Sequence, residues 1–404
     1  MDDWIGLRVA RIRVEQKKSQ TEVAEDAGIS QGYLSKLESG QAPIQTRTVL
    51  IGLAQALGVA VTKLTEPLPH DRTPTEQAIR HVLPSIWAAL DGADDTHPGS
   101  YDSLVSLVEQ IAVARMACRY DVLADKLAPA IARTLAYAET QDERAWPLFS
   151  RACITASLAL RPLGHHHFAT RLAERAQAAA QYSEDSVTLG GSAYALSQCA
   201  LSGGVRGLRK RAFVLASKAA VDIEGHGDSV NTWRAMLHLQ AGLAAGSLEQ
   251  HSVSLDYLNE AAGLVQHISS DPEHMDPTPA NVGVWRVAAA LESDFESAPE
   301  LAEQVDSSAL KTTQRKVHLM LHQGRGLALT GQADRATEVL QSAYQLSPGE
   351  VASRPGVRDI VGLMLREERR KSGSAALRSL AIKVGVDPLA PPETRAGRPI
   401  LSSI

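Results

Sequence analysis

Small or apolar residues recur as an i, i+4, i+7 triplet through most of this 404-residue chain. The sets are Ala124/Ala128/Ile131, Ala169/Ala173/Ala176, Ala212/Ala216/Ala219, Ser254/Leu258/Ala261, Ala298/Ala302/Val305 and Ala336/Leu340/Ala343. Their first positions lie 45, 43, 42, 44 and 38 residues apart. On a helix that spacing puts all three side chains on one face. A face of small residues lets a neighbouring helix approach closely. Each triplet lies on a predicted helix that follows another of comparable length. Two helices per unit of about 40 residues is the mark of an α-solenoid. The expected fold class is therefore all-α.

The first 66 residues do not share the repeat and read as a separate small domain of five short helices. Leu7, Val9 and Ile12 sit among basic residues in an amphipathic first helix. Ser19 with Glu22 three positions on predicts a capping-box start for the second, which Gly28 ends. Ser30 caps a third helix, which Gly40 stops. Thr46 caps a fourth, ended by Gly58, and a fifth runs from about Val61 to Thr65. Residues 67–75, rich in proline, read as a linker or an ordered connecting loop. Residues 76–387 hold the repeats, with 349–384 as a terminal cap. The tail 388–404, rich in Pro, Arg and Ser, reads as disordered.

The segment from Ser19 to Gly40 fits a helix-turn-helix, whose second helix enters the major groove while the first braces it. Ala24 is small where the helices cross, and Gly28 permits a left-handed turn. Ile29, Leu34 and Leu37 point inward, which leaves Gln31, Gly32, Ser35 and Lys36 outside. Glutamine can pair with adenine edges and lysine with guanine acceptors. Gln20, Tyr33 and Thr46 are placed to meet phosphates, which set register without reading sequence. Plain solvation of these polar side chains is the alternative. Over residues 5–50 seven basic groups face five acidic ones, about +2, whereas the whole chain carries −5. A weakly basic head on an acidic body suits a protein that touches a polyanion with its head alone.

The motif SQ-x-x-x-A-x-x-x-G-I-S-x-x-Y-L-S-K-L-E-x-G, followed by L-x-x-L-A-x-A-L-G-V, resembles the XRE/Cro family of bacterial helix-turn-helix regulators. The resemblance covers about residues 5–66 and implies a lambda-repressor-like DNA-binding domain. It places Gln20, Gln31, Gly32, Tyr33, Ser35 and Lys36 on DNA-contacting positions, and Arg13 with Glu38 as a buried ion pair. Two residues depart from the pattern. Gly32 lacks a side chain at a usual base-reading position, and Lys18 stands where an apolar residue is usual.

In the body, Val317 to Pro348 resembles a tetratricopeptide repeat of roughly 34 residues. Gly324, Leu327, Ala336, Leu340, Ala343 and Pro348 fall on its expected small, large and proline positions. A helix-turn-helix head on such a body resembles the peptide-sensing RRNPP-type regulators. That implies a dimer whose concave groove, built from the first helix of each pair, takes a peptide or small-molecule effector. Peptide-sensing members line that groove with asparagine, and here there are only Asn231, Asn259 and Asn281. Candidate groove residues are Arg115, Arg119, Arg151, Asn231, Trp233, Arg234, His238, Trp285 and Arg286. The alternative is that the tryptophans pack between helices and the arginines pair on the surface.

No enzyme motif is present: neither GxxxxGK[ST], nor HExxH, nor a Gly-rich strand-to-helix turn. No cofactor or metal is expected. His165-His166-His167 reads as a helix-start loop, because consecutive helical residues point about 100° apart and cannot share one ion. Cys118, Cys153 and Cys199 are widely spaced and read as reduced packing thiols in a cytoplasm. No apolar stretch reaches the roughly 18 residues of a membrane span. The expected protein is a cytoplasmic, homodimeric transcriptional regulator of double-stranded DNA. The alternative is an interaction adaptor with the helix-turn-helix as a tether.

Overall fold

The computed structural model describes residues 9–10, 12–14, 16–38, 47–59, 61, 64, 73–92, 96–140, 142–368 and 374–386. Among these residues every regular element is helical. The chain divides into two compact units, one of residues 1–71 with 385–399 and one of residues 72–384 with 400–404.

In the first unit, α1 is Gln20–Asp26, α2 is Gln31–Glu38 and α3 is Arg47–Ala56. Ser19 Oγ accepts from the Glu22 amide at 3.1 Å and starts α1. Among the described residues Glu22 does not return the bond, so the cap is half of the expected box; its side chain faces water. Gly28 adopts φ 68°, and the Ile29 amide bonds Ala24 O at 2.9 Å, closing α1 in the left-handed turn only glycine enters freely. Ser30 Oγ accepts from the Tyr33 amide at 3.2 Å and starts α2. Val9, Val23, Leu34, Leu53 and Leu64 are wholly buried in one core. Thr46, Gly40 and most of the expected fifth helix lie outside the described residues.

The second unit opens with α4, Pro74–Leu90. Thr73 Oγ1 accepts from the Glu76 amide at 3.2 Å, and Glu76 Oε2 accepts from the Thr73 amide at 3.0 Å. Proline suits the first turn because its missing N–H has no helical partner there. Pro74 and Thr75, read from sequence as linker, are therefore helical.

Among the described residues six helix pairs follow. They are α5 Tyr101–Met116 with α6 Tyr120–Thr140, α7 Trp146–Leu160 with α8 His166–Ser183, and α9 Ser186–Ser202 with α10 Arg206–Asp222. Then come α11 Asp228–Ser247 with α12 His251–Val265, α13 Pro279–Ser293 with α14 Ala298–Glu303, and α15 Thr313–Leu329 with α16 Ala333–Leu346. Successive first helices also pack on one another, which makes the array a solenoid. The small-residue triplets fall on the second helices, except that Val305 lies beyond the short α14. Ala169, Ala173, Ala176, Ala336, Leu340 and Ala343 are all wholly buried.

Close approach is visible in the polar contacts. Ser150, Ser157 and Ser197 donate to the carbonyls of Ala176, Ala169 and Ala212 at 2.9, 2.8 and 2.7 Å. Ser254 does the same to Gly242 at 2.8 Å. A Cβ at Gly242 or Gly324 would stand 2.9 or 2.8 Å from Leu258 or Leu340, tighter than side chains tolerate. Helices α17 Pro348–Ala352, α18 Pro355–Glu368 and α19 Ala375–Lys383 end the array, with α18 on α15 and α19 on α16.

The array closes on itself. Thr73 Oγ1 meets Ser353 Oγ at 2.9 Å, and Arg115 Nη1 donates to Gln314 Oε1 at 3.2 Å. Tyr120 bonds Glu350, and Arg358 pairs with Glu76. Helices far apart in sequence thus face each other across the interior. The first helices line a small, partly open pocket of about 70 Å³ that faces the interior. Among the described residues, no helix is long and apolar enough to cross a membrane. Cys118 and Cys153 are buried, and desolvation raises both thiol pKa values above their ordinary range. The tail 388–404 lies outside the described residues.

Candidate nucleic-acid interface and interior cavity

Helix α2 sorts its residues by periodicity. Leu34 and Leu37 are buried, and Tyr33 packs partly on the same core. Gln31, Gly32 and Lys36 stand exposed on the opposite side, with Ser35 half-buried beside them. A Cβ at Gly32 would meet nothing within 4 Å, so this position is open.

A hydrogen-bonded chain fixes the helix against α1. Arg13 grips Glu38 with two bonds, Nε to Oε1 at 2.6 Å and Nη2 to Oε2 at 2.8 Å. The Glu38 side chain is 6% exposed, so this is the buried pair implied by the family resemblance. The bond to Glu38 raises the Arg13 pKa. Gln20 Nε2 donates to Glu38 Oε2 at 2.7 Å, and Gln20 Oε1 accepts from Gln31 Nε2 at 2.8 Å. Lys18, unusual for its position, donates to Ala56 O at 2.7 Å, which supplies its charge with an acceptor at the end of α3. Gln20 and Gln31 are thus brought together, and Thr46 lies outside the described residues.

The groove candidates do not converge. Arg115 reaches the interior cavity. Arg119 is exposed and pairs with Asp121 at 2.7 Å. Arg151 and Trp233 Nε1 both engage Glu273, the latter at 3.0 Å. Arg234 donates to Asn231 Oδ1 at 3.0 Å, and Arg286 to Asn259 Oδ1 at 2.8 Å. His238 stands against Tyr257 with ring centres 5.5 Å apart. Arg119, Arg151, Arg234 and Arg286 thus each have a polar partner outside the cavity. Trp285 does line the cavity, with the Arg315 guanidinium 6.0 Å from its ring centre.

Sequence reasoning missed most of the cavity's polar wall. Arg161, Arg315, His318, His322 and Arg354 line it with Arg115. A signal was available: Arg315, His318, His322 and Arg325 follow i, i+3, i+7, i+10 on α15, a polar stripe on one helix face. Glu350 is wholly buried and held by Arg354 and Tyr120. Its pKa lies below the usual carboxylate range because, although burial opposes ionisation, Arg354 more than offsets it. His318 is pushed down to about 3 by burial first and by Arg354 next. His167 stacks on Trp87 at 5.9 Å, and among the described residues no histidine, cysteine or carboxylate cluster has metal-site geometry.

Comparison with known proteins bears on the first unit. The helix-turn-helix family matches residues 9–64. An uncharacterized HTH-type transcriptional regulator, y4dJ of Sinorhizobium fredii, is 44% identical over 74 residues, 18% of this chain and 92% of that protein. Two solved structures align over most of the chain with low scores. PlcR of Bacillus thuringiensis, in complex with the peptide PapR7 and DNA, is 12% identical with TM-score 0.32, covering 92% of this chain and 100% of that one. The apo competence regulator ComR of Streptococcus vestibularis is 13% identical with TM-score 0.28, covering 92% and 99%. The matched segment is the one whose caps, glycine turn and Arg13–Glu38 pair build the helix-turn-helix, and the chain belongs to the helix-turn-helix transcriptional regulators of the XRE type.

Proposed function

We propose that the chain is a cytoplasmic, sequence-specific regulator that works as a homodimer, with α2 as its reading helix and the helical body as its dimerisation and sensing element. The supporting observation is the polarity of α2: Leu34 and Leu37 seat it in the core while Gln31, Gly32 and Lys36 face outward. Gln31 and Lys36 would meet base edges, Gln20, Tyr33 and Thr46 phosphates, and Ser35 either. A head of about +2 binds a polyanion weakly alone, and a dimer sets two readers on half-sites about 34 Å apart. The reading assigns the chain no catalysis. The effector of the body would be a peptide or a small molecule.

The test is gel retardation on an operator recovered by genome-wide site selection. Gln31→Ala combined with Lys36→Ala should abolish the specific complex while light scattering still gives twice the 43.2 kDa chain mass. Unchanged operator affinity in that double variant would refute the assignment of α2.

A further inference from the structure

The interior cavity is cationic and unusually rich in donors without acceptors. Arg115, Arg315 and Arg354 line it and are 6%, 5% and 1% exposed. Arg161 lines it as well. Glu350 is already taken by Arg354 and Tyr120, and among the described residues Arg115, Arg161 and Arg315 have no ion-pair partner within 4.0 Å. Among the described residues no carboxylate lines this first space, and Glu292, which lines the space beside it, is paired with Arg325 at 3.1 Å.

Donor geometry sharpens the point. Arg115 spends its Nη atoms on Gln314 Oε1, the His274 carbonyl and Met275, and its Nε has no partner. Among the described residues, the Arg315 guanidinium has no hydrogen-bond acceptor at all, only the face of Trp285. Trp285 Nε1, His322 Nδ1 and Arg354 Nη1 are also buried and unmatched. Buried polar groups are nearly always satisfied, and a buried cation without a counter-charge is costly. Arg115 and Arg315 repel each other: burial first, then the charge of Arg315, lowers the Arg115 pKa to about 10.

We propose that this cavity is a binding site for a small organic oxyanion, a carboxylate or phosphate whose oxygens take the Arg115 and Arg315 donors. The cavity of about 70 Å³ has room for roughly five waters, which suits an oxyanion head. Leu158, Val284, Leu243 and Ala288 give the remaining wall an apolar surface for a short hydrocarbon portion. A second space of about 60 Å³ shares Arg161, Gln198, Leu243, Ala288 and His322 with it and extends the site. The site also bridges α5, α9, α13 and α15, so its occupant would hold together elements from both ends of the array. This deepens the sensing role proposed for the body and rests on that reading only for its consequence on DNA.

The full chain is titrated with sodium phosphate and, separately, sodium benzoate, with ionic strength held by chloride. Calorimetry and thermal melting read the result. At least one probe should bind saturably and raise Tm by roughly 5 °C at a hundredfold excess over Kd. A response to phosphate alone, to benzoate alone, or to both identifies the oxyanion source. Arg315→Gln should weaken binding at least tenfold without lowering the unliganded Tm, because it removes a buried unmatched charge. If that variant does not fold, Arg315→Lys, which keeps charge but loses the fork, reads the same contrast. Exposed Arg335→Gln is the control and should bind as wild type. No saturable response to either probe, or full binding in both Arg315 variants, would overturn the proposal. Saturable binding that leaves operator affinity unchanged would keep the anion site and sink only the sensing reading.

Discussion

Gln20 Oε1 accepts a hydrogen bond from Gln31 Nε2 at 2.8 Å while Gln20 Nε2 donates to Glu38. The glutamine at the start of the bracing helix therefore sets the amide of the glutamine that opens the reading helix. Such bridging costs the reading side chain less freedom on binding, since it is already oriented. Gln20→Ala is expected to lower operator affinity about five- to tenfold, roughly 1 kcal/mol, by releasing Gln31. Combined with Gln31→Ala the losses should be less than additive in fluorescence anisotropy at fixed salt. Fully additive losses would mean that the two act separately.

Glu38 carries the other end of this chain. Glu38→Ala leaves the Arg13 guanidinium without its carboxylate in a site where Arg13 is only 15% exposed. The head should lose about 3 kcal/mol, the low end for breaking a buried pair because Arg13 retains some water and its bond to Lys18 O. Urea unfolding of the full chain followed by a probe in the head would show an earlier transition there, with the body's transition unmoved.

Two helical glycines should respond oppositely to alanine. Gly32 faces open space, so Gly32→Ala should stabilise the head by about 0.5–1 kcal/mol through reduced unfolded-chain entropy. A Cβ at Gly52 would stand 2.6 Å from the Ala27 carbonyl oxygen, so Gly52→Ala should cost roughly 1–3 kcal/mol as α3 moves away from the end of α1. Paired denaturation curves check both signs.

Acid should loosen the body before it alters the head. His318 has a folded pKa of about 3 against an ordinary value of 6.5, so the unfolded chain binds its proton first. Stability from this group is full above pH 6.5 and is lost as pH falls toward 3, at about 1 kcal/mol per pH unit. Glu350, also depressed, adds loss in the same direction below its ordinary range. His318→Gln should flatten the Tm profile between pH 6 and 4. An unchanged slope would show that the histidine does not govern it.

What could be read from residues alone depended on how local the cause was. Ser19, Gly28 and Ser30 act within a few positions of themselves, so the helix-turn-helix and the inward set of Leu34 and Leu37 were legible. The small triplets were legible because a helix pair is a neighbour contact, as Ser157 bonding Ala169 illustrates. The interior was not. Arg115 and Gln314 meet across 199 positions, and that contact depends on the accumulated turn of six helix pairs. The angle at each pair decides which first-helix side chains face one another across the interior. No local pattern records that sum, so composition and spacing gave the parts, and packing alone chose which arginines lost their water.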